Sequence, residues 1–363
     1  MITVTKPFIP PLADYQQWLE SIWARGWLTN HGPLVNELEQ RLRRYLEVEN
    51  LLFVSNGTVA LQLALRALDV AGEVITTPFS YVATTSSILW ERLTPVMVDI
   101  RPDTLNINPD LIEAAITERT TAILAVHVYG NPCEIERLQH IAERYRLRLI
   151  FDAAHAFGTR YRGRSLYAYG DVATASFHAT KLFHTTEGGA VVASDPEIVR
   201  RLTLMRNFGH TTPTDFDLVG INGKNSEFHA AMGLSNLPYI QEILDRRAAL
   251  SERYDDNLAG ADVQHQRIEE DCVYNHAYYP VIFRSEDILL KVIEAFQARG
   301  IQPRRYFYPS LSSLKFLPRR DYTPVCDSIA RRALCLPLYH ALSFEEVDMI
   351  SGILLDTLHC SAG

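Results

Sequence analysis

Short runs of β-branched and aliphatic residues alternate with longer amphipathic stretches from about residue 50 onward. Each run is too short for a helix and is bounded by polar or turn residues, which is typical of buried strands. We predict strands over Leu51–Ser55, Glu73–Thr76, Pro95–Asp99, Ala122–Val126 and Arg148–Phe151. Between the last two, apolar residues share one helical face at Ile135, Leu138, Ile141, Ala142 and Tyr145. This alternation predicts an α/β fold with a mostly parallel sheet covered by helices on both faces.

The pattern changes after roughly residue 245. One long helix is predicted over Gln241–Leu258, and clear strand signals become fewer beyond it. The last predicted helix starts with a capping box, in which Ser343 is followed three residues later by Glu346. Its buried face is predicted to consist of Val347, Ile350, Ile353, Leu354 and Leu358. We therefore expect a large α/β domain over residues 1–245 and a smaller α+β domain over residues 246–363.

Composition and charge exclude several classes of protein. With 47% hydrophobic and 21% charged residues, the 363-residue chain has the composition of a folded globular protein. Its formal net charge of −8 argues against non-specific nucleic-acid binding. No apolar stretch approaches the roughly 20 residues of a membrane-spanning helix, and prolines stand where a signal peptide would be apolar. Because the cysteines lack Cys-x-x-Cys spacing, we expect a reduced, cytoplasmic protein. They are Cys133, Cys272, Cys326, Cys335 and Cys360.

The first candidate site follows the first predicted strand, in the sequence Ser55-Asn56-Gly57-Thr58. A helix that begins here would offer free N–H groups and the positive end of its dipole to a phosphate. Gly57 would allow close approach, and Thr58 would add a hydroxyl group. Taken alone, such residues more often form an ordinary helix N-cap than a phosphate site.

The second candidate is Asp152, which comes directly after the strand predicted over Arg148–Phe151. Open α/β sheets bind ligands at the carboxyl ends of their parallel strands. A carboxylate there can form a charge-assisted hydrogen bond with a protonated ring nitrogen, such as that of pyridoxal 5′-phosphate (PLP). An aspartate that caps the next segment is the alternative, and it is somewhat more common for this residue alone.

The third candidate is Lys181. Lysine is normally a solvated surface residue, but this one stands among Thr180, Leu182 and Phe183 and precedes a turn at Gly188-Gly189. A lysine held among such residues can lose its proton and form a Schiff base with an aldehyde.

Three histidines lie near these candidates in the sequence, at His155, His178 and His184. They do not form an i, i+4 pair with a third ligand, so a metal site is the weaker interpretation. A phosphate turn, then Asp152, then Lys181 is instead the order that a PLP site requires. The conjunction is much more specific than any one of its parts.

Motifs along nearly the whole chain support this interpretation. They are GWLTNHGPLVNELEQRL near residue 30, SNGTVAL at 55, TTPFSYVATTSSIL at 76, VHVYGNP at 126, FDAAHAFGT at 151, SFHATKLFHTTEGGAVV at 176, GINGKNSEFHAAMG at 220 and LCLPLYHALSFEEV at 334. In this order they resemble the DegT/DnrJ/EryC1/StrS family of PLP-dependent nucleotide-sugar aminotransferases. The resemblance implies the aspartate-aminotransferase fold (PLP fold type I).

The resemblance also implies roles for individual residues. Lys181 matches the lysine that binds PLP covalently and moves a proton between cofactor and substrate. Asp152 matches the carboxylate on the pyridinium nitrogen, which keeps the ring an electron sink. The remaining implied cofactor contacts are Gly57, Thr58 and Ser176 on the phosphate, Tyr81 stacked on the ring, and His155 near the 3′ oxygen.

A later loop is implied to act between subunits. Asn222 matches an asparagine that reaches the cofactor phosphate of the neighbouring subunit, so the resemblance implies at least a homodimer. Where the family usually has Arg-Met, this chain has Lys224-Asn225. Lys224 would still meet a substrate phosphate as a point charge, without the bidentate fork of arginine. Tyr306 and Tyr308 match a substrate-side segment loosely, and packing of the small domain is the alternative.

The implied reaction transfers an amino group from L-glutamate to a keto group of a nucleotide-linked sugar in a ping-pong cycle. A related branch of the family dehydrates sugars and has histidine in place of the lysine, so Lys181 favours transamination. The tract SFHATKLFHTTEGG resembles members that act on 4-keto-6-deoxy sugars. We therefore expect conversion of dTDP-4-keto-6-deoxy-D-glucose to dTDP-4-amino-4,6-dideoxy-D-glucose, as in O-antigen synthesis for lipopolysaccharide.

Other acceptors and one other class of protein remain open at this point. The amino group could go to C3, to a UDP- or GDP-linked sugar, or to a cyclitol. A catalytically inert PLP-binding regulator is the non-enzymatic alternative, and the presence of both Lys181 and Asp152 argues against it.

Overall fold

A computed structural model describes residues 1–361. The strands in chain order are β1 Ile2–Thr3, β2 Leu51–Val54, β3 Glu73–Thr76, β4 Thr94–Met97, β5 Thr120–Val126, β6 Arg148–Asp152, β7 Arg160–Tyr161, β8 Arg164–Ser165, β9 Val172–Ser176, β10 Gly189–Val192, β11 Val263–His265, β12 Cys272–Val273, β13 Tyr279–Phe283, β14 Ile301–Gln302 and β15 Ala333–Leu336. The α-helices are α1 Leu12–Arg25, α2 Pro33–Leu46, α3 Gly57–Ala67, α4 Val82–Trp90, α5 Ile112–Ala115, α6 Ile135–Tyr145, α7 Pro196–Met205, α8 Glu227–Asn236, α9 Ile240–Asn257, α10 Glu286–Ala298, α11 Pro324–Arg332 and α12 Phe344–Ser361. Ala362 and Gly363, the end of the predicted small domain, lie outside the described residues.

The largest sheet has the strand order β2-β10-β9-β6-β5-β3-β4. Strand β10 runs antiparallel to both of its neighbours, and the other adjacent pairs are parallel. The five strands predicted from the sequence all belong to this sheet, and their ends differ from the prediction by two residues or fewer. The mostly parallel α/β sheet is therefore confirmed.

Both faces of this sheet are buried, which explains its continuous apolar strands. In β5, Ile123 and Ala125 belong to one apolar core, whereas Ala122 and Leu124 belong to another on the opposite face. Successive strand residues point to opposite faces, so a strand covered on both sides has no position for a solvated side chain. Helix α6 covers the first core with the apolar face predicted for it.

The C-terminal residues build a further core. A three-stranded antiparallel sheet, β11-β13-β15, packs with helices α9, α10 and α12. The capping box of α12 is confirmed, since the Glu346 N–H donates to Ser343 Oγ at 3.1 Å and the Ser343 N–H donates to Glu346 Oε2 at 2.9 Å. The predicted boundary at residue 245 falls inside α9, and the division into two domains stays a prediction.

The large sheet brings distant residues to one edge. Strands β5, β6 and β9 are parallel and end at Val126, Asp152 and Ser176. Strand β2 has the same direction because β10 is antiparallel to both β2 and β9. The N-terminus of α3 at Gly57 therefore lies at this carboxyl edge as well. Among residues 1–361, no helix is long and apolar enough to cross a membrane.

Candidate active site

A cavity of about 540 Å³ lies at the carboxyl edge of the large sheet. This volume is in the range of small-molecule sites, about 300–1,000 Å³. Most of the residues predicted for a cofactor or substrate site line it: Gly57, Thr58, Tyr81, Asp152, His155, Ser176, Lys181 and Tyr306. Residues far apart in the sequence are thus brought together by the sheet.

Asp152 forms the floor of the cavity and is only 5% exposed. Its Oδ2 accepts a hydrogen bond from Thr84 Oγ1 at 2.8 Å, and its Oδ1 accepts one from the Ala154 N–H at 3.1 Å. Burial raises the pKa of Asp152, while these hydrogen bonds and the charge of Lys181 oppose that shift. The two bonds fix the plane of the carboxyl group at the end of β6.

Thr84 connects Asp152 to a second hydroxyl group. Thr84 Oγ1 lies 2.8 Å from Ser80 Oγ. A hydroxyl has one proton to donate, and an ionised Asp152 only accepts, so Thr84 donates to Asp152 and accepts from Ser80. Neither residue was predicted from the sequence, although their i, i+4 spacing around the start of α4 is present in TTPFSYVATT.

Lys181 lines the same cavity in a turn after β9, where its N–H donates to the His178 carbonyl at 2.9 Å. Burial lowers the pKa of Lys181 from about 10.5 to about 8, and the nearby Asp152 carboxylate limits the shift. A larger share of the amine is therefore neutral near physiological pH than for a solvated lysine. The neutral amine is the nucleophilic form that attacks an aldehyde.

His155 lies among aromatic rings from the C-terminal part of the chain. Its ring stacks on Phe307 at 5.6 Å and meets Tyr278 edge-on at 5.1 Å. Burial, and to a lesser degree Lys181, holds its pKa well below the ordinary value, so the imidazole is neutral. Within the described chain, its buried Nδ1 has no hydrogen-bond partner. An unpartnered nitrogen beside the cavity is suited to a polar atom of a bound ligand.

The part of the cavity at the start of α3 is suited to an anion. Helix α3 begins at Gly57, and its N-cap Asn56 accepts a hydrogen bond from the Val59 N–H at 2.9 Å. The Gly57 and Thr58 N–H groups precede the first intrahelical hydrogen bond and remain available to a ligand. A Cβ at position 57 would lie 3.0 Å from the Ser176 Cβ, so glycine permits the close approach of Ser176.

The mouth of the cavity carries Tyr81, which is 60% exposed, and Tyr306. The Tyr306 carbonyl accepts a hydrogen bond from the Tyr129 hydroxyl, and its ring lies 5.5 Å from that of Tyr278. Tyr308 does not line the cavity; the guanidinium of Arg305 lies 3.5 Å above its ring. Of the two tyrosines that were matched loosely, only Tyr306 is at the site.

Comparison with known proteins identifies the family. The profile of the DegT/DnrJ/EryC1/StrS aminotransferase family matches residues 13–355. The chain belongs to this family. It is 40% identical to the dTDP-4-amino-4,6-dideoxy-D-glucose transaminase of Shigella dysenteriae, over 96% of this chain and 97% of that protein. The crystal structure of DesI in the presence of its TDP-sugar product superposes with a TM-score of 0.94 at 34% identity, covering 99% of this chain and 95% of DesI.

The family assignment confirms the predicted PLP fold and cofactor. DegT/DnrJ/EryC1 aminotransferases are PLP-dependent. The PLP form of Spr1654 from Streptococcus pneumoniae superposes on 98% of this aminotransferase with a TM-score of 0.91, at 28% identity and over 98% of that chain. The cavity fits the cofactor by its own chemistry, since it combines a carboxylate floor, an unpartnered imidazole nitrogen and free N–H groups at a helix N-terminus. The role of each residue stays a prediction.

Besides Tyr308, two further predicted residues of this aminotransferase do not line the cavity. The side chain of Asn222 is exposed, and its backbone pairs with Asn207 in an isolated bridge. The Lys224 ammonium lies 4.6 Å from the centre of the Phe208 ring. Both residues were predicted to act with a neighbouring subunit or a substrate phosphate, and these roles remain predictions.

Proposed function

We propose that this aminotransferase moves an amino group from L-glutamate to C4 of dTDP-4-keto-6-deoxy-D-glucose, giving dTDP-4-amino-4,6-dideoxy-D-glucose. The observation that carries the chemistry is the presence of Lys181 and Asp152 in one cavity. The choice of sugar is supported by the 40% identity to a relative named for this dTDP-sugar and by the likeness to DesI with a TDP-sugar product.

PLP, when bound, supplies an electron sink for the carbon that gains or loses the amino group. In this proposal Lys181 Nζ binds the cofactor, and after it is released it carries a proton to and from the reacting carbon. Its lowered pKa suits both roles, because the amine gives and takes a proton near physiological pH.

Asp152 is proposed to accept the hydrogen bond of the protonated ring nitrogen. The carboxyl group is prevented from rotating by Thr84 and the Ala154 N–H. His155 would face the 3′ oxygen with its unpartnered Nδ1. The ring would be covered by Tyr81, and the phosphate would be held by Gly57, Thr58 and Ser176.

We further propose a homodimer with shared active sites, in which Asn222 and Lys224 serve the neighbouring subunit. Their position outside the cavity of their own chain is consistent with this arrangement. The product would be an amino sugar for O-antigen and lipopolysaccharide synthesis in the cytoplasm. Reduced cysteines suit that compartment, and three of the free cysteines, Cys133, Cys326 and Cys335, are buried.

The test is an absorbance spectrum of the purified protein with PLP, recorded before and after addition of L-glutamate. We expect the band of lysine-bound cofactor to shift towards that of the aminated form. Addition of dTDP-4-keto-6-deoxy-D-glucose should reverse the shift, and the UDP- and GDP-linked keto sugars serve as matched controls. Reversal by one of these controls alone would replace the proposed acceptor. A band that ignores every amino donor would instead indicate an inert PLP-binding protein.

A further inference from the structure

Arg304 is a cation of the cavity that forms no ion pair with any described residue. It lines the cavity beside Tyr306, and its side chain is exposed there. Within residues 1–361, no carboxylate lies within ion-pairing distance of its guanidinium. The other lysine or arginine that lines this cavity is Lys181, which has the nearby Asp152 carboxylate.

The structure holds the Arg304 guanidinium in place without neutralising it. Its Nη1 donates to the Tyr306 hydroxyl at 3.1 Å, while its backbone N–H and carbonyl pair with Cys335 at 3.4 and 2.9 Å. Tyr306 is itself anchored, because its carbonyl accepts from the buried Tyr129 hydroxyl. A guanidinium has five N–H donors, and this bond uses one of them. The others are available to a ligand.

The next residue in the chain, Arg305, differs from Arg304 because its charge is paired within the chain. Arg305 Nη2 donates to Glu286 Oε1 at 2.6 Å and to the Arg331 carbonyl at 3.0 Å. The Arg305 side chain is 18% exposed. It does not line the cavity. Of two consecutive arginines, Arg305 is therefore paired with Glu286, whereas Arg304 keeps an unpaired charge at the cavity.

We propose that Arg304 binds an anionic group of a substrate, with Tyr306 as its positioning residue. This inference rests on the proposed function, because both substrates of that reaction carry such groups: L-glutamate has carboxylates, and the sugar nucleotide has a diphosphate. Either presents paired oxygens that match the planar fork of a guanidinium. In a ping-pong cycle the two substrates occupy the site in turn, so the two sources can be separated experimentally.

The first test measures binding by calorimetry on the PLP-loaded enzyme. Glutarate serves as an unreactive dicarboxylate, and dTDP serves as an unreactive diphosphate. Arg304→Gln should weaken one or both by about tenfold to a hundredfold, the range for a hydrogen bond to a charged group. Arg304→Lys should restore part of the affinity, since it keeps the charge and loses the fork. The matched control is Arg299→Gln, which removes an exposed cation just beyond α10.

The second test is kinetic and covers probes that bind too weakly for calorimetry. With stopped-flow absorbance, each half-reaction is followed in a single turnover. Arg304→Gln should raise the half-saturating concentration of L-glutamate or of the keto sugar more than it lowers the rate at saturation. Tyr306→Phe should give a smaller change in the same half-reaction.

The outcomes separate the two sources and the two proposals. An effect on glutarate and glutamate assigns the carboxylate, an effect on dTDP and the keto sugar assigns the diphosphate, and an effect on both assigns both. Affinities and half-saturating concentrations within twofold of wild type, in both Arg304 variants, would overturn the inference. Wild-type enzyme that fails to react with any amino donor would overturn the proposed function, and the dTDP titration would still decide whether Arg304 binds anions.

Discussion

Two regions of this aminotransferase carry predicted site residues, and they differ in whether those residues line the cavity of their own chain. The sheet-edge residues Asp152, His155, Ser176 and Lys181 converge on one cavity. Asn222 and Lys224 in the 220–225 loop, by contrast, do not line it, and Lys224 lies against the Phe208 ring. Strand pairing brings Asp152 and Ser176 to one edge of the sheet, because the ends of adjacent parallel strands are neighbours. His155 and Lys181 follow these strand ends within five residues. Local anchors fix the 220–225 loop.

Those anchors lie on alternate residues of the 220–225 loop. The Gly223 carbonyl accepts from the Ser55 N–H at 2.9 Å. The buried Asn225 side chain donates to the Val54 carbonyl at 3.3 Å and the Glu187 carbonyl at 3.0 Å. Asn225, which departs from the usual family pattern, therefore ties the loop to the end of β2. A single sequence motif can therefore contain both residues that anchor a loop, such as Asn225, and residues that stay exposed, such as Asn222.

Substitution of Lys181, one of the sheet-edge residues, is expected to reduce turnover more than any other change considered below. Lys181→Ala should lower turnover by at least about 100-fold, since the variant loses both the covalent cofactor link and the proton carrier. Steady-state assays with excess PLP measure this loss. The control Lys291→Ala removes an exposed lysine on α10 and should retain activity. Appreciable turnover in Lys181→Ala would show that Lys181 is not the residue that binds the cofactor and moves the proton.

The next effect concerns the floor of the cavity. Asp152→Asn should slow the half-reaction with L-glutamate by about tenfold to a hundredfold, because a charge-assisted hydrogen bond to the ring nitrogen becomes a neutral one. Thr84→Val should give a smaller loss by freeing the carboxyl group to rotate, whereas Thr84→Ser keeps the hydroxyl and should behave like wild type. Equal rates in Thr84→Val and Thr84→Ser would show that the Thr84 bond has no role in catalysis.

The location of the sheet-edge residues could be predicted from the sequence for a physical reason. Short apolar runs predict buried strands. A polar residue directly after such a run, such as Asp152, is therefore predicted at the ligand-binding edge of the sheet. The sequence did not predict Tyr278, Phe307 or Arg304, because they reach the cavity through packing of the C-terminal residues against that edge. Such contacts span more than a hundred residues and leave no local pattern.

The direction of strand β10 and the position of the 220–225 loop could not be predicted from local sequence either. The direction of β10 depends on its pairing with β2 and β9, and no local pattern indicates it. The exposed position of Asn222 depends on anchors at Gly223 and Asn225. A resemblance to a family supplied Asn222 and Lys224 as candidates, and pattern alone supplied no position for them.

A pH series tests the lowered pKa of Lys181. Its pKa is lowered to about 8, so the neutral, reactive amine is present at lower pH than for a solvated lysine. The rate at which PLP-free protein captures PLP should rise roughly tenfold from pH 7 to pH 9 and then level off, as the neutral fraction grows from about a tenth to about nine-tenths. Stopped-flow absorbance measures it, with Lys181→Ala as the background. A rate still rising steeply at pH 10 would contradict the lowered pKa.

A small change in PLP affinity is expected from a substitution that tests whether the 220–225 loop serves a neighbouring subunit. Asn222→Ala should weaken PLP binding about fivefold, the value of one lost hydrogen bond. Asn207→Ala, opposite it in the backbone bridge, is the control. Mixed dimers then decide between chains. In a hybrid of Asn222→Ala with Lys181→Ala, one site combines an intact Lys181 with the partner's intact asparagine, so PLP affinity at that site should return to wild type. Affinity that stays low in the hybrid would place Asn222 at the cavity of its own subunit.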